Sequence, residues 1–540
     1  MSQTAAGRTI TLEHDSKITL ADIEDVAFGR ARVALAAPAR ERLAAFRAAA
    51  ERQIAANPDK RVYGLNTGFG SNFRDYVSPD ELKRLQRNLI VSHCAGVGPY
   101  APAPVARATT LLRAASLARG HSVVRPVVVE TLIDMLNNAV TPAIPRHGSV
   151  SASGDLAPLS HMAAVVIGEG RVLNERGEGV PTQEFVKHAK RGFTPLELEM
   201  KEGLALNNGC QYANAWGALA TAQMRRLIEA AALTTALHVQ ALRGAGRPFR
   251  ADLHRLRAHA GSQTLARWVF ELLEGYGLQD VSTDVKYAFD GRIQDPYNLR
   301  CAAQVLGPCF DLIARAEATM VAEARSVTDN PIDLNTAAES YNLDEITSGG
   351  HFHGMPVAVD AYGLLQAAGI MARLSNLRCA RIVDNNRNKG LGPQMRGPNP
   401  SPAQSGLMIA EYTTAGLCNH IWALASPSHL MSLSTDSGQE DHVSMAANVA
   451  MRAHEAGEHL SRILAIEMAF ASQAEHVRAN NPEDKPIALG ARTQLALEKV
   501  RETFPLVGED RELTWDIEKL AEKVLSGEIA QATGYSFGRH

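Results

Sequence analysis

Two long stretches in the second half of the chain are apolar on more than one face of a helix. The first spans residues 301–325 and the second spans residues 363–383. Helices of this kind are buried in a large core or between subunits, because they leave no polar face for water. We expect their methionines and cysteines to fill that core. These stretches predict a mainly α fold.

The rest of the chain adds shorter elements to this plan. Helical periodicity predicts another helix over residues 40–56. Residues 8–12 alternate like a strand, and residues 170–174 before Gly177 predict a small hairpin arm. Residues 389–402 are rich in glycine and proline and predict a long irregular segment. Such a segment is either a functional loop near an active site or a surface crossover.

Composition excludes several classes of protein. The formal net charge is −3, so nothing favours binding to nucleic acid or to an anionic membrane. The first residues lack the apolar core of a signal peptide. Uninterrupted apolar runs, such as residues 162–167, are far shorter than the about 20 residues of a membrane span. The six cysteines are scattered without metal-ligand spacing. We expect a cytoplasmic protein without a metal site or disulfide framework.

Residues 148–161, GSVSASGDLAPLSH, carry the strongest chemical signal. Gly154 has no Cβ atom, so its amide nitrogen can approach the carbonyl carbon of Ala152. Attack by that nitrogen with loss of water, followed by loss of the Ser153 hydroxyl, gives a five-membered ring with an exocyclic methylene. Such a ring is a strong electrophile. The alternative is an ordinary loop-to-helix entry, with an acidic residue and a proline at the helix start.

Six more blocks accompany this segment along the chain. They are YGLNTGFG at 63–70, KEGLALNNG at 201–209, QDPYNLRC at 294–301, TDNP at 328–331, GGHFHG at 349–354 and QEDHVSM at 439–445. In this order the blocks resemble the family of histidine, phenylalanine and tyrosine ammonia-lyases and related 2,3-aminomutases. In that family Ala-Ser-Gly becomes the prosthetic group 4-methylidene-imidazol-5-one (MIO). The resemblance implies that MIO forms from Ala152-Ser153-Gly154, with no external cofactor.

The resemblance also implies an architecture. We expect a long-helix bundle of the ammonia-lyase and fumarase-like type, with a smaller N-terminal lobe that carries the MIO loop. We assign the lobe to residues 1–220, and the bundle with the C-terminal helical region to residues 221–540. The family implies a homotetramer with shared active sites that acts on a small amino acid substrate.

The implied reaction removes ammonia from an aromatic L-amino acid without oxidation. The amine is a poor leaving group and the β-proton is barely acidic, so the reaction needs an electrophile and a base. The resemblance makes Tyr63 the base, although a phenol normally ionises only near about pH 10. Gly64, Gly68 and Gly70 would let its loop close over the substrate. The alternative is a tyrosine that only packs or lies on the surface.

Arg300 is the candidate for binding the substrate carboxylate, because a guanidinium makes two parallel hydrogen bonds to a carboxylate. Gln294 and Tyr297 precede it at intervals of three residues, so a helical turn would present all three on one face.

Three further residues receive roles from the resemblance alone. Asn208 is expected at the MIO carbonyl, Asn330 at the substrate carboxylate and Phe352 beside the electrophile. The alternative for the two asparagines is a purely structural hydrogen-bonding role.

Two residues bear on which amino acid is used. His93, after Ser92, resembles the polar pair of histidine ammonia-lyases and several bacterial tyrosine enzymes. Glu440 resembles the glutamate that histidine enzymes carry where phenylalanine and tyrosine enzymes usually have glutamine, and we count it among the catalytic residues. A carboxylate pairs well with an imidazole but is costly beside a phenyl ring. These residues favour conversion of L-histidine to urocanate.

Four departures from the family pattern leave other substrates open. His351 and Arg325 stand where the family usually has asparagine, Ser151 replaces a glycine, and residues 417–424 do not match the histidine enzymes. A tyrosine or phenylalanine ammonia-lyase, or a 2,3-aminomutase, remains the alternative. The order in which the electrophile meets the amine or the ring also stays open.

Overall fold

The computed structural model describes residues 7–67, 79–189, 194–280, 294–397, 400–482 and 484–538, and helices dominate these ranges. The mainly α fold predicted from the sequence is confirmed. The helices are α1 Leu20–Ala27, α2 Ala37–Ala56, α3 Pro79–His93, α4 Ala103–Ala118, α5 Pro126–Asn137, α6 Leu156–Val166, α7 Thr182–Ala189, α8 Glu202–Asn207, α9 Gln211–Ala241, α10 Ala251–Arg255, α11 Ala260–Leu272, α12 Tyr297–Arg300, α13 Ala302–Ala324, α14 Met355–Val383, α15 Met408–Leu424, α16 Ala446–Ala479, α17 Ala491–Thr503, α18 Thr514–Ser526 and α19 Glu528–Ala532.

Local sequence explains where several helices begin and end. At the start of α1, Thr19 Oγ1 accepts a hydrogen bond from Asp22 N at 3.2 Å, and the Asp22 carboxylate accepts one from Thr19 N at 2.8 Å. These reciprocal bonds satisfy amides that the first turn leaves without partners. Helix α18 is followed by Gly527 with φ +85°, a left-handed conformation that glycine adopts at low cost.

The two long apolar stretches form α13 and α14, as predicted. Helix α14 is long and apolar enough to cross a membrane by length and composition, but 61% of its most apolar window is buried inside the protein. Buried core helices have the same composition, so α14 is explained as part of the core. The predicted packing role of sulfur-containing side chains is confirmed for four residues that are at most 1% exposed: Cys309, Met320, Met371 and Cys379.

Strands are short and form two-stranded sheets. The predicted hairpin arm is confirmed: β5 pairs with β6 in antiparallel fashion, and Val172 lies opposite Val180. The alternating residues near the N-terminus form β1, which pairs in parallel with β2. The strands are β1 Thr9–Leu12, β2 Arg32–Leu35, β3 Val97–Tyr100, β4 Pro145–His147, β5 Arg171–Leu173, β6 Gly179–Pro181, β7 Ile332–Asp333 and β8 Ile346–Thr347.

The glycine- and proline-rich segment after α14 is irregular, as expected. Apart from a short 3₁₀ turn at Pro393–Met395, its described residues lie outside helices and strands. Near its start, Lys389 Nζ lies 3.1 Å from Asp295 Oδ1. This contact links the segment to the block that contains Arg300.

The chain divides into two compact units. The first unit comprises Met1–Ala222, Ala316–Ala361 and Pro427–Met451, and the second comprises Gln223–Arg315, Tyr362–Ser426 and Arg452–His540. The first unit therefore includes residues 316–361 and 427–451, which lie beyond the N-terminal lobe expected at residues 1–220. The boundary between residues 220 and 221 stays a prediction.

Candidate active site

Ala152, Ser153 and Gly154 lie in the turn between β4 and α6, in the first unit. Gly154 adopts φ +74°, and a Cβ atom on it would lie 2.3 Å from the backbone nitrogen of Gly209. Atoms do not approach so closely, so only glycine fits here. The amide of Asp155 donates a hydrogen bond to the Gly209 carbonyl at 2.7 Å. The backbone of Gly209 thus holds the C-terminal side of the turn.

Asn208, the residue that follows α8, contacts the same turn. Its Nδ2 donates a hydrogen bond of 2.7 Å to the carbonyl oxygen of Ser153. Its Oδ1 is buried and has no hydrogen-bond partner among the described residues. A buried acceptor without a partner is costly. Asn208 therefore polarises the Ser153 carbonyl and keeps one acceptor for a bound donor.

Asp155 is a residue that sequence reasoning did not select for the site. It is fully buried and occupies the N-cap position of α6, but its side chain makes no capping bond there. The carboxylate instead accepts hydrogen bonds from Ser149 Oγ at 2.6 Å, Ser151 Oγ at 2.8 Å and the Ala213 amide at 2.8 Å. Burial raises the pKa of Asp155, and these hydrogen bonds oppose the rise. The Asp155 side chain therefore stabilises the turn. It does not cap α6, as the alternative of an ordinary loop-to-helix entry would require.

Ser151 adopts φ +50°, a left-handed conformation that is costly for a residue with a Cβ atom. Its hydroxyl accepts a hydrogen bond from Ala447 N at 3.1 Å, and its carbonyl accepts one from Ser444 Oγ at 2.8 Å. Together with the bond to Asp155, these contacts offset the conformational cost. They explain how serine is accommodated where the family usually has glycine.

Phe352 lies on a loop that packs against this turn. Two residues further on, a Cβ atom on Gly354 would lie 3.1 Å from the Cβ atom of Ser151. The Phe352 carbonyl accepts a hydrogen bond from Cys210 Sγ at 2.8 Å, and Cys210 follows Gly209 in the chain. The structure therefore brings the backbone of Phe352 to the segment that holds the tripeptide.

Tyr63 is half-buried in a turn that its neighbours stabilise. Asn66 Oδ1 accepts a hydrogen bond from Val62 N at 2.8 Å. Gly64 adopts φ +74°, and a Cβ atom on it would lie 2.9 Å from Leu204 Cδ2 on α8. The Tyr63 turn thus packs on the helix that leads to Asn208. Gly68 and Gly70 lie outside the described residues, and closure of the loop stays a prediction.

Asn330 is held through both its backbone and its side chain. Its Oδ1 accepts a hydrogen bond from Gly349 N at 2.8 Å, and its carbonyl lies 3.3 Å from Lys201 Nζ. Lys201 is fully buried and forms an ion pair of 2.8 Å with Asp329. Burial lowers the pKa of Lys201, and the Asp329 charge opposes this effect. Sequence reasoning missed this pair, although both residues lie inside the quoted blocks.

His93 and Glu440 come within electrostatic reach of each other. Burial lowers the pKa of His93, and a backbone hydrogen bond at Leu89 and the carboxylates of Glu440 and Asp436 oppose that shift. Thr435 Oγ1 donates a hydrogen bond of 2.6 Å to Glu440 Oε2. Glu440 is therefore fixed by its own loop, and an acidic environment faces the imidazole of His93.

Gln294, Tyr297 and Arg300 belong to the second unit. The prediction of one shared helical face is wrong for Gln294: α12 begins at Tyr297, after Pro296, and a proline disfavours helical conformation in the residue before it. Arg300 Nε donates to the Asp295 carbonyl at 2.8 Å. Its guanidinium carbon lies 4.6 Å from the centre of the Tyr297 ring. Because Nε already donates to the Asp295 carbonyl, the two terminal nitrogens, Nη1 and Nη2, are the guanidinium donors suited to a carboxylate.

The structure shows where two of the residues that depart from the family pattern lie. Arg325 Nε donates a hydrogen bond of 2.8 Å to the Ile18 carbonyl, so this side chain has a structural role. His351 is exposed.

Comparisons with known proteins agree with this architecture. A family model described as aromatic amino acid lyase matches residues 18–502. A histidine ammonia-lyase of Bradyrhizobium diazoefficiens is 41% identical over 473 residues, which cover 87% of this chain and 86% of that protein. A solved tyrosine aminomutase from Streptomyces globisporus matches with a TM-score of 0.89 at 30% identity, covering 98% of both chains. A histidine ammonia-lyase from Trypanosoma cruzi matches with a TM-score of 0.85 at 30% identity, covering 97% of this chain and 95% of that one.

Proposed function

Because the chain belongs to the aromatic amino acid lyase family, we propose that it is an ammonia-lyase that converts L-histidine to urocanate. The assignment of histidine as the substrate rests on the proximity of His93 and Glu440. The charge of Glu440 raises the pKa of His93 against the effect of burial. An imidazole substrate offers an N–H donor to a carboxylate. A phenyl ring would leave Glu440 beside an apolar surface at a desolvation cost.

We further propose that the electrophile is MIO, formed from Ala152, Ser153 and Gly154. The residues fit this group. Gly154 has no room for a side chain, Ala152 is buried, and Asn208 donates to the Ser153 carbonyl, which would become the ring carbonyl. When formed, MIO supplies the electrophile that takes up the substrate amine and makes it a better leaving group.

The other residues have the following proposed roles. Tyr63 removes the β-proton as a general base. Asn208 Oδ1, which is buried without a partner among the described residues, accepts a hydrogen bond from the substrate amino group. Arg300 binds the substrate carboxylate, with Asn330 as a second donor. Glu440 accepts the imidazole N–H of histidine and holds the ring in place.

We also propose a cytoplasmic homotetramer whose subunits share active sites. Tyr297, beside Arg300, is 70% exposed, which suits a residue that contributes to a site completed by another copy of the chain. Large apolar side chains are also exposed on α14 and α15, namely Ile370, Leu377, Ile409, Tyr412 and Trp422. Exposed apolar surface of this kind is typical of subunit interfaces. Sedimentation of the purified protein as a tetramer is expected, and an active monomer at dilution would contradict the proposal.

A second candidate is a tyrosine or phenylalanine enzyme, including a 2,3-aminomutase. The TM-score of 0.89 to the Streptomyces globisporus tyrosine aminomutase supports it. An aminomutase returns the ammonia to the β-carbon before it leaves the closed site, so the products distinguish the two reactions.

The decisive experiment offers L-histidine, L-tyrosine and L-phenylalanine separately to the purified enzyme. We expect the ultraviolet absorption of urocanate to appear with histidine and only slow formation of coumarate or cinnamate from the other two. Amino acid analysis of each mixture for a β-amino acid tests the aminomutase. Faster turnover of tyrosine or phenylalanine than of histidine would reject the histidine assignment but leave the family assignment intact.

A further inference from the structure

Two helices bring three metal-binding side chains of the second unit together on the surface of the chain. His420 lies on α15, and Glu455 and His459 lie one turn apart on α16. One ligand atom from each of the three lies within 4.8 Å of the others. Glu455 Oε1 is 3.5 Å from His420 Nε2 and 3.7 Å from His459 Nε2.

These separations resemble the edges of a small coordination polyhedron. Tetrahedral zinc bound to nitrogen and oxygen at about 2.0–2.1 Å separates its ligand atoms by roughly 3.3 Å. Two of the three edges are therefore already close to that length. The helices are also connected nearby, because Arg452 Nη1 on α16 donates to the Leu424 carbonyl at the end of α15 at 2.9 Å.

The state of His459 provides a second, independent observation. Both of its ring nitrogens are buried and make no hydrogen bond among the described residues, and Nε2 lies 3.7 Å from Glu455 Oε1. The neighbouring cation Arg462 is already paired with Glu518 at 2.9 Å.

We propose that His420, Glu455 and His459 bind a divalent transition-metal ion of the zinc type and thereby link α15 to α16. Two imidazoles and one carboxylate form a donor set that suits Zn²⁺ and Co²⁺, with water in the remaining position. The side chains of His420 and Glu455 are 53% and 42% exposed, so both ligands lie at the surface of the single chain. The cysteine pattern predicted no such site, because this one uses histidine and glutamate from helices separated in sequence.

The test uses the untagged full-length enzyme after dialysis against a chelator. Titration with CoCl₂ is expected to produce visible ligand-field absorption with one ion per chain, and calorimetry with ZnCl₂ is expected to give the same stoichiometry. His420→Ala and His459→Ala should each weaken binding by more than about 100-fold. Addition of ZnCl₂ should raise the melting temperature of the wild type and leave that of both variants unchanged.

His476→Ala is the matched control, because His476 lies on α16, and its main-chain carbonyl accepts a hydrogen bond from Asn480 just after that helix. It should bind the metal as the wild type does, and circular dichroism should show that all three variants are folded. Absence of binding by the wild type at micromolar metal would overturn the proposal. Equal binding by the wild type and by His420→Ala and His459→Ala would overturn it as well.

Discussion

Asn208 and Ser153 are joined by a hydrogen bond of 2.7 Å from a side-chain amide to a main-chain carbonyl. The donor residue follows α8 and the acceptor residue lies in the turn before α6, so the two groups meet only in the folded chain. A donor on this carbonyl withdraws electron density from the tripeptide that is proposed to become the electrophile. Through this donor Asn208 acts on the tripeptide itself, apart from the contact proposed between its Oδ1 and the substrate.

Asn208→Ala should fold and still lose kcat by about 100-fold or more, because removal of one positioned donor in a dry active site has an effect of this size. Steady-state kinetics with histidine measure it. Asn207→Ala is the matched control: its neighbouring buried amide bonds to Ser160 Oγ at 3.1 Å and not to the tripeptide. An equal loss of kcat in both variants would show that the effect is general damage to α8.

Ser153→Ala should abolish nearly all turnover, because no methylene can form without the serine hydroxyl. Intact-mass measurement should show the wild type lighter than its sequence by two water molecules and the variant not lighter by two. Ser526→Ala, at the end of α18, controls for removal of a hydroxyl elsewhere. Activity of Ser153→Ala at the wild-type level would end the MIO proposal.

Ser151→Ala should be less stable than Ser151→Gly. Both variants lose the hydroxyl bonds to Asp155 and Ala447, but alanine retains the strain of a Cβ atom at φ +50°. The difference should be about 1 kcal/mol in the free energy of unfolding. Denaturant titration measures it, and an alanine variant more stable than the glycine variant would contradict the explanation given for this position.

Glu440→Gln should lower kcat/KM for histidine by about one to two orders of magnitude, because a charge-assisted hydrogen bond contributes about 1.5–3 kcal/mol. Turnover of tyrosine or phenylalanine should be unchanged or improved, and His93→Leu should shift preference in the same direction. Asp436→Asn is the control, because that carboxylate also raises the pKa of His93. If it reproduces the whole effect, Glu440 acts through His93. If Glu440→Gln lowers every substrate equally, the carboxylate belongs to the common machinery.

Stability should fall in mild acid because of a buried histidine in the second unit. Burial lowers the pKa of His238 to about 4, whereas an unfolded histidine titrates near about 6.5. Between about pH 6.5 and 4 the ring is protonated in the unfolded chain but not in the folded protein. The free energy of unfolding therefore falls as the pH falls through this range, by up to about 1.4 kcal/mol per pH unit, and it is not lowered by this group above pH 6.5. His238→Gln should flatten this part of the pH profile in denaturant titrations. His259→Gln, at an exposed histidine, should leave the profile as it is in the wild type.

Sequence periodicity predicted the elements whose pattern is local. The long helices α13 and α14 and the β5–β6 hairpin follow directly from apolar repeats and turn residues. The parallel partner of β1 was not predictable in this way, because β2 comes some twenty residues later and pairs through the tertiary fold. Gln294 was placed on a helix by spacing alone, and Pro296 prevents that.

The site shows the same limit. The motifs identified the tripeptide and Asn208 as individual residues, but nothing in the spacing indicated that Asp155 turns away from its helix toward two serines. The proximity of His93 to Asp436 and Glu440 joins segments more than three hundred residues apart. Contacts of this kind depend on packing and leave no periodic trace in the sequence.

The close approach of Gly154 and Gly209 also determines where this enzyme can be redesigned. A Cβ atom on Gly154 would meet the Gly209 backbone at 2.3 Å, and one on Gly209 would meet Arg113 Nη1 at 2.4 Å. Both glycines also adopt positive φ, at +74° and +151°, so we expect side chains at either position to strain the turn that holds the tripeptide. Positions 93 and 440 already carry side chains and are the ones proposed to select the substrate. Directed evolution toward a new amino acid should begin there, with the two glycines kept constant.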